Sequence, residues 1–494
     1  MSAPQTLPEL LRVDARPPLA PAIRGQDGLT YGELAAWSSR IASVLTERGV
    51  RPGDRVVFQV PKSATVVALH IALLRLGAVQ LPLNPAYTDA ETAALLGDAE
   101  PRLVVRDPDR TRPAGPWDDL TLAADGSGTL RDCATQAAPT DAWPATAAED
   151  AAVLLYTSGT TGRPKGAVLT HGNLVHNART LVAEWGFTED DVLLHVLPLF
   201  HTHGLFVALH CVLASGASMH LLPRFDAGLA VDLLPGSSVL MGVPTHYARL
   251  VDEPQLAVAA QSVRLFVSGS APMPVALHER FTQATGQVVL ERYGMTETSM
   301  LTSNPLHGPR RPGTVGPPLP GVSVRVVDEA GRERPMGEVG DVQVTGPNVF
   351  SGYWRRPELR ATEFTADGWF RTGDLGRFDE NGYLELVGRA KDLVISGGLN
   401  VHPKEVEAVL EELSGVCEAA VVGVPDDDLG EAVTAVVVAD PGAVLDPEAL
   451  RAQVRDRLAG FKVPKRVVVV DDLPRNAMGK VEKAKLRAQL AESS

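Results

Sequence analysis

The spacing of apolar positions changes character along the chain. Over residues 31–48, Leu34, Ala35, Ile41, Ala42 and Leu45 recur at helical spacing. Residues 55–60 then read as a strand, 64–77 as a strongly apolar helix stopped by glycine, and 79–83 as a strand. A helix at 89–97 and a strand at 102–105 follow. Alternation of this kind predicts a parallel sheet covered by helices. Residues 107–150 are rich in Asp, Ala, Thr and Pro with weak periodicity, and predict surface connection and irregular structure.

A second alternation follows. Apolar runs at 153–156 and 167–169 flank a polar loop. The pattern continues as helix 173–185, strand 192–197, an apolar helix 205–213, strands 218–222 and 238–241, and a helix that includes 247–250. Strand 263–268, helix 275–285 and strand 288–291 complete it. Loops at the carboxyl ends of such strands are the expected place for ligands. After residue 312, Pro and Gly become frequent, and short alternating runs at 323–327, 341–344 and 383–386 predict antiparallel sheet or a small barrel. Helix 404–413, strands 419–424 and 433–438, helix 447–458 and strand 467–470 then form a small unit of about a hundred residues. The boundary is expected at 388–392 and the fold class is α/β.

The length of 494 residues allows roughly three domains. A net charge of −14 argues against general nucleic-acid affinity and leaves room for a local nucleotide site. Cys133, Cys211 and Cys417 lie far apart, which removes a disulfide framework and predicts a reducing, cytoplasmic setting. No basic-then-apolar start marks a signal peptide, and no run reaches the ~18 apolar residues of a membrane span.

The loop at 157–166 holds four hydroxyls, three glycines and two cations. Thr157, Ser158, Gly159, Thr160, Thr161 and Gly162 supply donors and turns, and Lys165 adds a mobile positive charge. That is the chemistry of a polyphosphate cradle, without the Gly-Lys-Ser/Thr ending of the Walker loop. Three further segments carry chemistry. In 293–298, Tyr293 offers a flat surface for a base, Thr296 a donor and Glu297 a hard carboxylate for Mg²⁺. In 370–374, Asp374 stands at an expected tight turn where a carboxylate can accept two ribose hydroxyls. In 474–480, a loop presents Lys480.

The order Thr-Ser-Gly-Thr-Thr-Gly-x-Pro-Lys-Gly, Tyr-Gly-Met-Thr-Glu, Arg-Thr-Gly-Asp, Gly-Arg-x-Lys-Asp and Pro-Arg-Asn-x-x-Gly-Lys resembles the adenylate-forming superfamily over nearly the whole chain. The resemblance implies a large N-terminal domain (1–388) of two α/β subdomains plus a small β-barrel. It also implies a hinge at 389–392 and a small mobile α+β C-terminal domain (393–494). It implies ATP, Mg²⁺ and CoA, and two steps: a carboxylate attacks the α-phosphate of ATP, then a thiol displaces AMP. Residues 157–165 would hold the β- and γ-phosphates, and Glu297 the Mg²⁺. Thr296 would touch the α-phosphate. Gly269, Ser270, Ala271 and Pro272 would enclose adenine with Tyr293, beside Gly294 and Met295. Asp374 would bind ribose with help from Arg389, and Lys480 would bridge the two reacting groups. Lys391 would be the hinge, and Ser396, Gly397 and Gly398 would line the thiol channel.

Thr202, His203, Arg292 and Met300 fall in the segments that line the acid pocket in that superfamily, with His201 beside them. A buried Arg292 needs an anion. It pairs either with Glu291 or another structural carboxylate, or with a second carboxylate of the substrate. The phrases around 199–207, 291–298, 391–398 and 474–481 resemble malonyl-CoA synthetases, which implies malonate or methylmalonate as the acid and CoA as the acceptor. Leu399, Asn400, Val401 and His402 depart from the usual Tyr-Asn-Ile-Tyr on the thiol side. A stand-alone adenylation enzyme, serving a carrier protein or an amine, shares every motif through the first step. The basic run of Lys462, Lys465, Arg466, Arg475, Lys480, Lys483, Lys485 and Arg487 reads as a solvated face that also meets phosphates.

Overall fold

A computed structural model describes all residues except 1–2, 26–27, 142, 158–163, 390–391, 397–398, 427–428, 477–478 and 493–494. The expected loop residues Ser158, Gly159, Thr160, Thr161 and Gly162, and the expected Lys391, Gly397 and Gly398, lie outside the described residues.

Two large sheets form the N-terminal part. In the first, Ala151–Thr157, Val79–Pro82, Arg55–Gln59, Leu103–Arg106 and Asp118–Thr121 run parallel. Lys165–Thr170 and then Gly352–Tyr353 add antiparallel at one edge. In the second, Leu290–Met295, Leu265–Ser268, Val239–Gly242, Val192–His195, Ser218–Leu221 and Pro21–Arg24 run parallel. Ser299–Ser303 and Leu29–Thr30 close its two edges antiparallel. Both faces of these sheets are covered, so their strands read as nearly continuous apolar runs. Helices between them start on side-chain caps. Thr30 with Glu33, Thr88 with Glu91 and Thr170 with Asn173 each form a capping box.

The region after 312 forms a four-stranded antiparallel sheet, Ser323–Val327, Gly340–Thr345, Phe370–Phe378 and Leu384–Arg389. The last unit centres on the long pair Val416–Asp426 and Gly430–Ala439. Strand alternation sends Val421, Val433 and Val437 to one face, against Val406, Leu410 and Val454 of two helices. Ala420, Val422, Val424 and Val436 go to the other, against Leu473, Leu486 and Leu490. No helix among the described residues is long and apolar enough to cross a membrane.

Four expectations change. The stretch 107–150, expected to be irregular, contains the strand Asp118–Thr121 and the helix Thr129–Gln136. The strand buries only Leu120 and the helix only Leu130 and Ala134, so neither shows a long apolar period. The apolar helix at 205–213 is a π-helical turn, His203–Ala208, followed by Leu209–Ser215. Strand 288–291 instead runs Leu290–Met295, which puts Arg292 and Tyr293 inside the sheet. Asp374 stands within the strand Phe370–Phe378, not at a tight turn; Gly373 at φ +70 and a register shift at 375/376 bend that strand locally.

The end of the second sheet opposite its ligand loops is fixed by one buried carboxylate. Asp191 takes Arg264 in a two-pronged pair at 2.8 and 2.7 Å, the Ser238 hydroxyl at 2.6 Å and the Thr188 amide at 2.9 Å. These contacts join the starts of three parallel strands. Burial alone would raise the Asp191 pKa, but Arg264 and the hydrogen bonds outweigh it and hold it below the usual value. A group so depressed stabilises the fold above its unfolded pKa and loses that contribution as pH falls through the folded one. Asp191→Ala is expected to cost about 2–3 kcal/mol, read as a lower urea midpoint. An unchanged midpoint would show that the cluster does not hold the strands.

Candidate active site

The carboxyl ends of the parallel strands in both sheets meet the antiparallel sheet, and the residues singled out by chemistry converge there. The strand Ala151–Thr157 and the strand Lys165–Thr170 pair down to Thr157 opposite Lys165, so the loop between them springs from a rigid ladder. Thr157 donates to the Glu297 carboxylate at 3.3 Å, and the Tyr353 hydroxyl donates to the same oxygen at 2.9 Å. Glu297 is buried. Burial raises its pKa, opposed by these bonds and by the charge of Arg389. Lys165 is not the mobile charge expected: it pairs with Glu363 at 2.7 Å and lies over the Tyr353 ring at 5.1 Å.

Tyr293 and Asp374 are both buried, and the Tyr293 hydroxyl donates to the Asp374 carboxylate. The other oxygen of Asp374 pairs with Arg389 at 2.5 Å. The neighbouring Gly294 has no room for a side chain. A Cβ there would lie 2.0 Å from the Ser299 carbonyl oxygen and 2.8 Å from the Cα of Met300, which stands opposite on the hairpin. Thr296 is half-buried in the connecting turn. Ser299 and Ser270 take positive φ values of 51 and 69, a conformation rare outside glycine. Ser270, Ala271 and Pro272 leave the strand Leu265–Ser268 through Gly269 as a partly exposed turn.

Arg292 decides the character of the deeper pocket. It is 4% exposed, and its Nε and Nη2 find no hydrogen-bond partner. Glu291 does not pair with it; that carboxylate accepts from the Gly313 amide at 3.3 Å, and burial raises its pKa to about 7. No carboxylate forms an ion pair with Arg292 among the described residues. The guanidinium lies against Gly269, where an added Cβ would sit 2.3 Å from Cζ. Only glycine leaves that space.

Around Arg292 the wall is polar but uncharged. The Nδ1 atom of His203 meets the Ser270 hydroxyl at 3.3 Å, and its Nε2 has no partner. The hydroxyls of Thr202 and Ser268 are likewise buried without partners. Burial, then the field of Arg292, pushes His203 well below the usual imidazole range. His201 falls to about 4 by burial and by the charges of Lys480 and Arg292. Lys480 therefore stands close enough to His201 to be felt, and a Cβ on Gly479 would lie 2.9 Å from the Thr245 hydroxyl. The C-terminal loop thus reaches Thr245 of the N-terminal part. Ser396 is buried at the end of its strand.

Three contributors were not read from the sequence. Tyr353 and Glu363 come from a segment of ordinary surface residue types. Lys62 is buried, and its ammonium reaches His195 Nδ1 at 2.9 Å and the carbonyls of His195 and Leu197 at 2.7 and 2.8 Å. The other ring nitrogen of His195 donates to the Gly204 carbonyl at 3.0 Å, which leaves Nδ1 as acceptor for Lys62. This chain of contacts anchors the π-helical wall that carries His203. A lone lysine opening a strongly apolar helix was the signal available for it.

Among the described residues no group of three or more His, Cys, Asp or Glu could hold a metal ion. A single fixed carboxylate still suits Mg²⁺, which usually takes one or two carboxylates together with substrate phosphates. Glu297, oriented by Thr157 and Tyr353, fits that pattern.

The AMP-binding enzyme family matches residues 11–354, and the AMP-binding enzyme C-terminal domain matches residues 405–480. A feruloyl-CoA synthase of Amycolatopsis sp is 38% identical over 480 residues, covering 95% of this chain and 96% of that one. A mitochondrial malonate–CoA ligase of Mus musculus is 37% identical over 513 residues, covering 94% and 87%. The crystal structure of ATP-bound MatB from Rhodopseudomonas palustris superposes with a TM-score of 0.96 at 49% identity, covering 99% of this chain and 100% of that one. Both family regions match in order and these relatives are covered nearly end to end, so the chain belongs to the AMP-binding enzyme family, as an AMP-forming acyl-CoA ligase.

Proposed function

We propose that this ligase activates a small dicarboxylic acid, malonate or methylmalonate, as the acyl-adenylate and passes it to CoA, releasing AMP and pyrophosphate. One observation carries the reading: Arg292 is a buried guanidinium whose Nε and Nη2 are unpartnered, with no carboxylate paired to it among the described residues. A second carboxylate on the acid supplies that partner. A feruloyl-like aromatic acid does not, and would leave the buried charge uncompensated. The likeness to a malonate–CoA ligase supports the same choice.

In this scheme Arg292 takes the distal carboxylate, with Thr202 and His203 as neutral donors or acceptors around it and Met300 as an apolar wall. The reacting carboxylate is left facing the nucleotide. Two anions must then approach, so cations and donors are needed where charge builds. Lys480 supplies the bridging cation, and Thr296 a donor to the α-phosphate. Lys165 and residues 157–162 hold the outer phosphates. Asp374, fixed by Arg389 and Tyr293, receives the ribose. Glu297 would hold Mg²⁺, which when bound neutralises charge on the triphosphate. For the second half-reaction, a hinge at Lys391 would carry Lys480 away and bring Ser396, Gly397 and Gly398 to the pantetheine thiol. The domains are accordingly taken as 1–388, 389–392 and 393–494.

The reading is tested by ATP–pyrophosphate exchange across mono- and dicarboxylic acids, each repeated with CoA and mass detection of the thioester. Arg292→Ala is expected to lower kcat/KM for malonate roughly a hundredfold while acetate changes little. Unchanged malonate turnover would remove the assignment. Lys480→Ala should stop exchange yet still form thioester from supplied malonyl-adenylate, and full exchange in that variant would sink its role.

A further inference from the structure

Beside the phosphate hairpin lies a cavity of about 320 Å³, lined by Tyr353, Arg355, Arg356, Arg360, Glu363 and Phe364 among others. Its size is that of a small-molecule site. It is built onto the hairpin. The Gly352–Tyr353 strand pairs with Val168 and Ala167, and the Trp354 amide donates to the Gly166 carbonyl at 2.7 Å. Arg355 holds a φ of 52, an unusual conformation for a residue with a side chain. Two of the three arginines are already balanced: Arg355 by Glu100 at 2.6 Å and Arg356 by Asp98 at 3.2 Å. Arg360 stacks on Phe364 at 4.7 Å and has no carboxylate partner among the described residues.

At the inner end of this cavity Glu363 holds Lys165, the one described cation of the phosphate loop, with both side chains largely buried. The carboxylate therefore occupies the ammonium that the outer phosphates need. Lys165 can be held by Glu363 or by phosphate, and the two anions compete for it. We propose that this cavity is the exit site for pyrophosphate, and that Glu363 is a positioning residue that reclaims Lys165 once the adenylate has formed. The leaving pyrophosphate anion then passes to Arg360 and out. No bond is made or broken in this exchange, and it rests on the ligase chemistry whichever acid is activated.

The test is product inhibition of the full-length enzyme by pyrophosphate, with any acid that supports turnover. Glu363→Gln keeps the shape and removes the competing charge. It should tighten pyrophosphate inhibition about five- to tenfold and lower the apparent KM for ATP, with kcat reduced by slow release. Arg360→Ser, at an exposed position, should weaken pyrophosphate inhibition several-fold and leave the KM of the acid unchanged. Wild-type inhibition constants in both variants would overturn the proposal. So would weaker inhibition in Glu363→Gln, which would make Glu363 a structural support only. A third arm compares CoA with dephospho-CoA. If Arg360→Ser raises the KM of CoA alone, the cavity receives the 3′-phosphate of CoA and pyrophosphate leaves elsewhere. The acid panel with Arg292→Ala reports on substrate choice separately, so either reading can fail without the other.

Discussion

Lys62 and Arg292 are both basic side chains buried beside the site, and the difference between them organises the rest. Lys62 has three donors and three acceptors around it, all from the chain itself. These contacts tie the end of the strand Val192–His195 to the helix Ala64–Arg75. Arg292 has no such set; its Nε and Nη2 find no partner among the described residues. A folded chain rarely leaves a buried guanidinium in that state unless a ligand completes it. The cost is tolerated because the neighbours cannot escape it. Gly269 leaves the space, the sheet fixes the backbone, and four histidines (His195, His201, His203 and His246) are held neutral by burial and by nearby positive charge. A pocket with one fixed charge and a neutral polar lining discriminates by charge count before it discriminates by shape.

Much of this was legible in the residues. The helix Val275–Thr285 was read to its ends because Leu277 and Phe281 sit one turn apart and Gly286 stops it at φ +73. Arg292 stood out because it falls in a segment that lines the acid pocket in the superfamily it resembles, where a buried cation needs an anion. Glu297, Asp374 and Lys480 stood out through short motifs whose order along the chain is hard to produce by accident. What escaped depended on distant pairing. Tyr353 and Glu363 reach the phosphate loop only because Gly352–Tyr353 joins an edge strand nearly two hundred residues away in sequence, and nothing local to that segment announces the contact. The strand Asp118–Thr121 escaped for the opposite reason: it lies at a sheet edge and buries a single side chain.

Charge behaves differently at the two ends of the molecule. The basic C-terminal run looked like a cationic face. Several of its members pair with nearby carboxylates: Lys462 with Glu405, Arg475 with Glu418, Lys483 with Glu407 and Arg487 with Asp392. Lys483 ties the Lys483–Glu492 helix to the helix Pro403–Glu411, and Arg475 ties the preceding loop to the strand Val416–Asp426. These pairs give the loop carrying Lys480 a firm base. At the hairpin the same kind of pair, Lys165 with Glu363, engages the one described cation of the loop.

The π-helical turn His203–Ala208 has a bearing on how such an enzyme changes over evolutionary time. A π turn is a helix carrying one residue more than its neighbours require, and that surplus residue sets which side chains of the wall look inward. Here the turn is clamped at Gly204, whose carbonyl takes His195 and whose Cα leaves no room for a side chain beside the Pro198 carbonyl. Loss of one residue would return the segment to ordinary helical register and swing Thr202 and His203 away from Arg292 by about a quarter turn. A lineage carrying this turn can alter its choice of acid by exchanging side chains, one position at a time. It cannot do so by shortening the wall without giving up the recognition surface altogether.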